Sequence, residues 1–78
     1  MSLVMSTTEL VLHAIRLAGS EAKLGEACGV SQTSIWKAKR AGRVSAELAV
    51  SIERATNGAV PRWQLRPDLW PAPQDDAA

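Results

Sequence analysis

The sequence is poor in reactive and aromatic side chains: its 78 residues include one cysteine, one histidine, three tryptophans, and no phenylalanine or tyrosine. Cys28 has no second cysteine to pair with, and together with His13 it does not supply the ligand set of a structural zinc site. No apolar run approaches the roughly 20 residues of a membrane helix, and the N-terminus lacks a signal-peptide pattern. These absences predict a reduced, cytoplasmic protein without a metal.

The sequence also lacks the residue patterns of an enzyme. We find no pair of carboxylates in one segment, no combination of cysteine and histidine, and no glycine-rich phosphate loop. A chain of this length buries only about two-thirds of the surface that its unfolded form exposes, which leaves little room for a catalytic cleft. The sequence therefore predicts a protein that is not an enzyme and needs no cofactor.

Charge is unevenly distributed along the chain, although the formal net charge is only +1. No Asp or Glu occurs between Gly29 and Val44. A concentration of basic side chains on one surface is the electrostatic pattern of a nucleic-acid-binding protein. Within this acid-free stretch the basic residues are Lys37, Lys39, Arg40 and Arg43.

Serines and glycines mark the ends of four predicted helices. Ser6 and Glu9 have the spacing of a capping box, and apolar residues recur after them at helical intervals. Serine is a favoured N-cap, whereas glycine commonly follows the last helical residue. The predicted helices are Thr7 to Ala18, a second from Ser20 to Gly29, a third from Gln32 to about Ala41, and a fourth from Ser45 to Asn57-Gly58.

The C-terminal segment is rich in proline and forms a different kind of structure. Three prolines between residues 61 and 71 exclude a long helix but permit one short helical turn near Trp63. We expect an ordered arm whose apolar residues cover the helical core, or alternatively form a dimer seam. These residues are Trp63, Leu65, Leu69 and Trp70. The sequence thus predicts one domain over residues 6–71 and a disordered tail over residues 72–78.

The second and third predicted helices have the features of a helix-turn-helix, from about Glu21 to Arg40. That motif needs two short helices, a tight turn, and a small residue where the helices touch. Gly25 is the small residue and Gly29 forms the turn. The expected apolar contacts are Leu24, Ala27 and Cys28 on the first helix, Val30 at the corner, and Ile35 and Ala38 on the second.

The third helix is predicted to have a polar and basic outer face. A helix turns by about 100° per residue, so burying Ile35 and Ala38 turns the other side outward. Glutamine at the start of such a helix recognises adenine, and lysine reaches guanine or phosphate. The alternative interpretation is that the cations simply form a solvated helix end, where the helix dipole favours positive charge. The outward residues are Gln32, Thr33, Trp36, Lys37 and Arg40.

Several short motifs follow one another in an order that resembles a known family. Gly29-Val30-Ser31-Gln32 with Ile35 resembles the recognition-helix start of Cro-type phage repressors. Three later motifs resemble the YdaS-like branch: Ala41-Gly42-Arg43-Val44, Ile52-Glu53-Arg54-Ala55-Thr56 and Leu65-Arg66-Pro67-Asp68-Leu69. The resemblance covers about Leu10 to Pro71. It implies an all-α, compact domain of four to five helices, of the lambda-repressor-like or Cro-like kind, from a bacterium or its prophage.

Two residues depart from the family pattern. Many relatives have tryptophan at the position of Ala38, whereas here Trp36 lies on the predicted outer face. Gly25 replaces a more usual alanine, at a cost of roughly 1 kcal/mol in helix propensity.

The resulting hypothesis is a sequence-specific transcriptional regulator, a Cro-like repressor that binds operator DNA as a homodimer. The alternative is a toxin–antitoxin component or another protein-interaction module, for which Trp36 is the feature to test. The candidate DNA-binding residues are Ser31, Gln32, Thr33, Trp36, Lys37, Lys39, Arg40 and Arg43.

Overall fold

A computed structural model of the chain describes residues 5–73, which form five helices and no strand. The predicted all-α class is confirmed. The predicted tail falls mainly on residues 74–78, which lie outside the described part. The helices are α1 (Thr7–Ala18), α2 (Glu21–Cys28), α3 (Gln32–Ala41), α4 (Ala46–Ala55) and the short α5 (Arg62–Leu65).

Side-chain caps fix where the helices begin, as the serine positions predict. Ser6 and Glu9 form the complete capping box of α1. Ser20, Ser31 and Ser45 each accept a hydrogen bond from the backbone N–H three residues later. The first N–H groups of a helix have no partner within it. Each cap satisfies one of these groups and so fixes the residue at which the helix begins.

One apolar core joins all five helices. Helix α3 packs against α1 and α2, while α4 packs against α2 and α5. Val60 and Leu65 bring the C-terminal arm into this core, and Trp70 packs against it half-buried. Twelve hydrophobic residues are buried: Leu10, Val11, Ala14, Leu24, Ile35, Ala38, Val44, Leu48, Ala49, Ile52, Val60 and Leu65.

Two predicted core contacts are exposed, and a third, Trp63, is half-buried without packing against the core. Ala27 is exposed rather than inward, because the inner face of α2 includes Gly25, which lies about 160° away around the helix. Leu69 is 47% exposed and does not cover the core. Its backbone N–H bonds to the carbonyl of Arg66, which closes a turn there. The predicted roles of Leu65 and Trp70 in covering the core are confirmed.

Gly25 lies where α2 contacts the turn that leads into α3. A Cβ at Gly25 would lie 2.9 Å from the carbonyl oxygen of Val30 and 3.2 Å from that of Ser31. Both are backbone atoms, which do not rotate away as a flexible side chain would. The small residue predicted at the helix contact is therefore required by the geometry of the turn.

Gly25→Ala should lower the free energy of unfolding by about 1 kcal/mol, measured by urea denaturation. Overpacking costs about 1–3 kcal/mol, which outweighs the roughly 1 kcal/mol that alanine gains in helix propensity. Ala27→Gly, at an exposed position of the same helix, is the control and reports the propensity effect alone. A Gly25→Ala variant more stable than the parent would show that the turn has room for a methyl group.

Candidate nucleic-acid interface

Helix α3 has one buried and one exposed face, in the predicted phase. Ile35 is fully buried and Ala38 is 7% exposed. The side chains on the opposite face offer amide, hydroxyl, indole and cationic groups to solvent. These exposed residues are Gln32, Thr33, Trp36, Lys37 and Arg40.

The start of α3 is accessible as well. Ser31 is exposed, and its hydroxyl accepts a hydrogen bond from the Ser34 N–H and lies 3.1 Å from the Ser34 hydroxyl. The remaining N–H groups of the first turn point away from the helix, where they favour an anion such as a phosphate. Ser31 thus orders the helix terminus beside Gln32 and Thr33.

Trp36 and Arg40 form a single exposed unit one turn apart. The Arg40 guanidinium carbon lies 5.2 Å from the centre of the indole ring, within cation–π range. Trp36 is 44% exposed. The stacked pair therefore presents both a flat apolar surface and a positive charge on the outer face of α3.

A second group of cations lies where α3 joins α4. Lys37 and Arg43 line an open groove between the two helices, together with the hydroxyls of Ser34 and Ser45. Buried Val44 lines the floor of the same groove. The groove extends the positive surface of α3 onto the connection that follows it.

Lys39 differs from the other cations of the candidate site. Its ammonium forms a salt bridge with the carboxylate of Glu21, and its side chain is 26% exposed. The Lys39 backbone carbonyl accepts a hydrogen bond of 2.9 Å from the Thr8 hydroxyl. Lys39 therefore joins α3 to α2 and α1, while the other predicted cations extend into solvent.

Glu21 is a site residue that the sequence pattern did not reveal. It begins α2, where an acidic residue is favoured by the helix dipole and needs no other explanation. In the fold it lies beside Lys39 and Gln32. The hydrogen bond from Lys39 lowers the pKa of Glu21, desolvation opposes this, and a side-chain hydrogen bond with Gln32 lowers it further. Glu21 thus connects the start of α2 to the last turn of α3 through Lys39.

Comparison with known proteins agrees with this geometry. A family model described as bacterial toxin YdaS matches residues 11–73. The chain belongs to the YdaS family. This match includes the entire helix-turn-helix and the C-terminal arm, and it confirms the Cro/YdaS resemblance seen in the sequence.

A solved structure extends the comparison of this YdaS-family chain. The Cro protein from the prophage element Xfaso 1 in Xylella fastidiosa strain Ann-1 is 41% identical, with a TM-score of 0.75. The alignment covers 87% of this chain and all of that one. No curated protein matches. Within residues 5–73, no helix is long and apolar enough to cross a membrane.

Lys39→Ala should raise the pKa of Glu21 toward the ordinary value of a glutamate, because it removes the largest cause of the lowered pKa. A carboxyl titration followed by NMR measures this shift. Lys37→Ala is the matched control, since Lys37 lies on the groove side of α3 and should leave the Glu21 titration unchanged.

The salt bridge between Lys39 and Glu21 also predicts how the stability of the fold changes with pH. The pKa of Glu21 is lower in the folded protein, so the salt bridge contributes fully to the stability of the fold above the ordinary pKa of a glutamate. Its contribution is lost as the pH falls through the lowered value. An unchanged Glu21 titration in Lys39→Ala would mean that the two side chains do not pair in solution.

Proposed function

We propose that this protein is a sequence-specific DNA-binding regulator, a Cro-like repressor of a phage or prophage operon. The observation that supports it most strongly is the likeness to a prophage Cro protein over the whole of that protein, at 41% identity. The exposed polar and basic face of α3 supports it independently, because a recognition helix needs such a face. The proposed function is binding rather than catalysis.

In this proposal α3 enters the major groove with its N-terminus leading. Gln32 and Thr33, in the first turn, read base edges through amide and hydroxyl groups. The N-terminus of α3 at Ser31 and the cations at its other end hold backbone phosphates on either side. Lys37, Arg40 and Arg43 supply these charge contacts, and much of the affinity then comes from counterion release.

Lys39 and Trp36 have roles that follow from their surroundings. Lys39 adds positive charge near the backbone, but its salt bridge to Glu21 makes it chiefly an anchor for α3. Trp36, held by Arg40, faces the groove and contacts a thymine methyl or the sugar edge. The stacked arginine keeps the indole in one orientation, which reduces the entropy lost on binding.

We further propose that the protein represses transcription by occupying promoter DNA as a homodimer. A single short recognition helix reads only a few base pairs, and pairing two copies doubles the operator length. The functional unit is assigned to residues 6–71. In such a dimer the two α3 helices lie about 34 Å apart, one turn of DNA, on an imperfect palindrome.

The test is binding to the DNA upstream of its own gene, measured by gel shift against unrelated competitor at several salt concentrations. A dimer with roughly 6–10 phosphate contacts should lose about three to five decades of affinity between about 50 and 200 mM salt. A variant with Lys37, Arg40 and Arg43 changed to Gln should flatten this dependence. Arg16→Gln, at an exposed position of α1, is the control and should not.

Two other outcomes of the gel shift would contradict the proposed function. Weak binding with no salt dependence in the parent protein would reject DNA as the partner. The family's description as a bacterial toxin would then favour an interaction module. Strong salt dependence without preference for the upstream DNA would leave a DNA-binding protein but reject sequence-specific repression.

Trp36→Ala should weaken DNA binding by at least about tenfold while changing the free energy of unfolding by less than about 1 kcal/mol. The side chain is 44% exposed and does not belong to the buried core, so its loss leaves no core cavity. Leu24→Ala is the control for a core truncation and should cost about 2–5 kcal/mol. Normal DNA binding by a folded Trp36→Ala variant would assign the indole to a protein partner instead.

A further inference from the structure

The motif Arg66-Pro67-Asp68 lies outside the helix-turn-helix, and the proposed function gives it no role. In the fold its charged side chains face each other. Arg66 donates from Nε and Nη2 to the two carboxylate oxygens of Asp68, at 3.0 and 2.7 Å. This is a two-pronged arginine–carboxylate pair, which fixes the plane of the guanidinium as well as its charge.

The third nitrogen of that guanidinium reaches a distant part of the chain. Nη1 of Arg66 donates a 3.0 Å hydrogen bond to the backbone carbonyl of Val44, 22 residues earlier. Val44 lies in the connection between α3 and α4, directly after Arg43. The arm is therefore attached to the segment that carries a proposed phosphate-binding cation.

Neighbouring contacts hold Arg66 in place. Leu65, at 2% exposure, anchors the preceding residue in the core. The Arg66 carbonyl accepts hydrogen bonds from the N–H groups of Leu69 and Trp70. Pro67 removes most of the backbone freedom between the two charged residues. The guanidinium is thus oriented from the core side, independently of its hydrogen bond to the connection between α3 and α4.

The connection itself is short, and its path is defined by the buried Val44 side chain together with a few hydrogen bonds. It runs from Gly42, whose N–H bonds to the Ala38 carbonyl, to Ser45, which caps α4. Arg43 is exposed between these two points. Restraining the Val44–Ser45 peptide, one peptide unit beyond the Arg43–Val44 bond, limits where the Arg43 side chain can leave the surface, beside Lys37 on the groove between α3 and α4.

We propose that Arg66 is a positioning residue for DNA binding, which holds the α3–α4 connection through Val44 so that Arg43 stays beside Lys37. This inference rests on the proposed function. Its guanidinium nitrogens are bonded to Asp68 and Val44, so Arg66 acts through the connection rather than by touching a phosphate. The arm thereby contributes to DNA recognition without lying on α3.

A double-mutant cycle on operator affinity tests this. Arg66→Ala and Arg43→Ala should each weaken binding by about three- to tenfold, Arg43 as a direct phosphate contact and Arg66 as a residue that acts through it. The double variant should bind no more weakly than Arg43→Ala alone, because Arg66 acts only through Arg43. Arg62→Ala is the control: Arg62 lies in the same arm but pairs with Glu53 and stacks on Trp70. Its effect should be small and additive.

Arg66→Lys separates positioning from charge. Lysine keeps the positive charge but cannot form a bidentate pair with a carboxylate and at the same time donate a hydrogen bond to a carbonyl. The positioning role therefore predicts that Arg66→Lys binds DNA as weakly as Arg66→Ala. Near-parental affinity of Arg66→Lys, or additive losses in the double variant with a reduced salt dependence, would make Arg66 a direct phosphate contact and overturn the proposal.

Amide hydrogen exchange gives a measurement that needs no DNA. Arg66→Ala should speed exchange in residues 43–46, while Arg62→Ala should leave that segment unchanged. Asp68→Asn should give an intermediate effect, because it removes the ion pair but keeps the bond to Val44. Unchanged exchange in Arg66→Ala overturns the positioning role. If the parent protein does not bind DNA but Arg66→Ala still speeds exchange, Arg66 is confirmed to hold the α3–α4 connection and only the proposed function is rejected.

Discussion

The close approach of α2 to the start of α3 is the constraint on which the rest of the structure depends. The carbonyl of Val30 lies within 2.9 Å of the position that a Cβ on Gly25 would occupy. The turn can therefore pass across α2, and Ile35 reaches the core at full burial. Once Ile35 is inside, the helical repeat turns Gln32 and Trp36 outward. The outer face of α3 thus depends on a tight contact with α2, for which Gly25 leaves room.

Ion pairing explains how a nearly neutral protein presents a basic surface. Acidic side chains neutralise the cations that hold helices and arm together, namely Lys39, Arg62 and Arg66. Within residues 5–73, none of the ion pairs involves the cations on the outer face of α3 or on the connection after it. The net charge of +1 therefore understates the local field at α3, because no Asp or Glu occurs between Gly29 and Val44 and three of the eight acidic residues pair with structural cations.

Most of the fold was predictable because its signals are local. A serine cap or a terminal glycine acts within one turn, so α1 and α3 begin and end where the sequence predicts. The outward phase of α3 also follows from its own periodicity. Contacts between distant residues were not predictable: Glu21 and Lys39 are 18 positions apart, and either is unremarkable alone. The exposure of Leu69 likewise depends on a turn that composition does not specify.

The C-terminal arm shows why so small a domain can link stability to recognition. Four helices of this length leave apolar surface uncovered, and Val60, Leu65 and Trp70 complete the core from outside the helix-turn-helix. An arm that must dock for the core to close also arrives at a fixed position relative to α4. Arg66 uses that position to reach Val44. The cost of ordering the arm is already met by the apolar contacts, so orienting the α3–α4 connection requires little further loss of chain entropy.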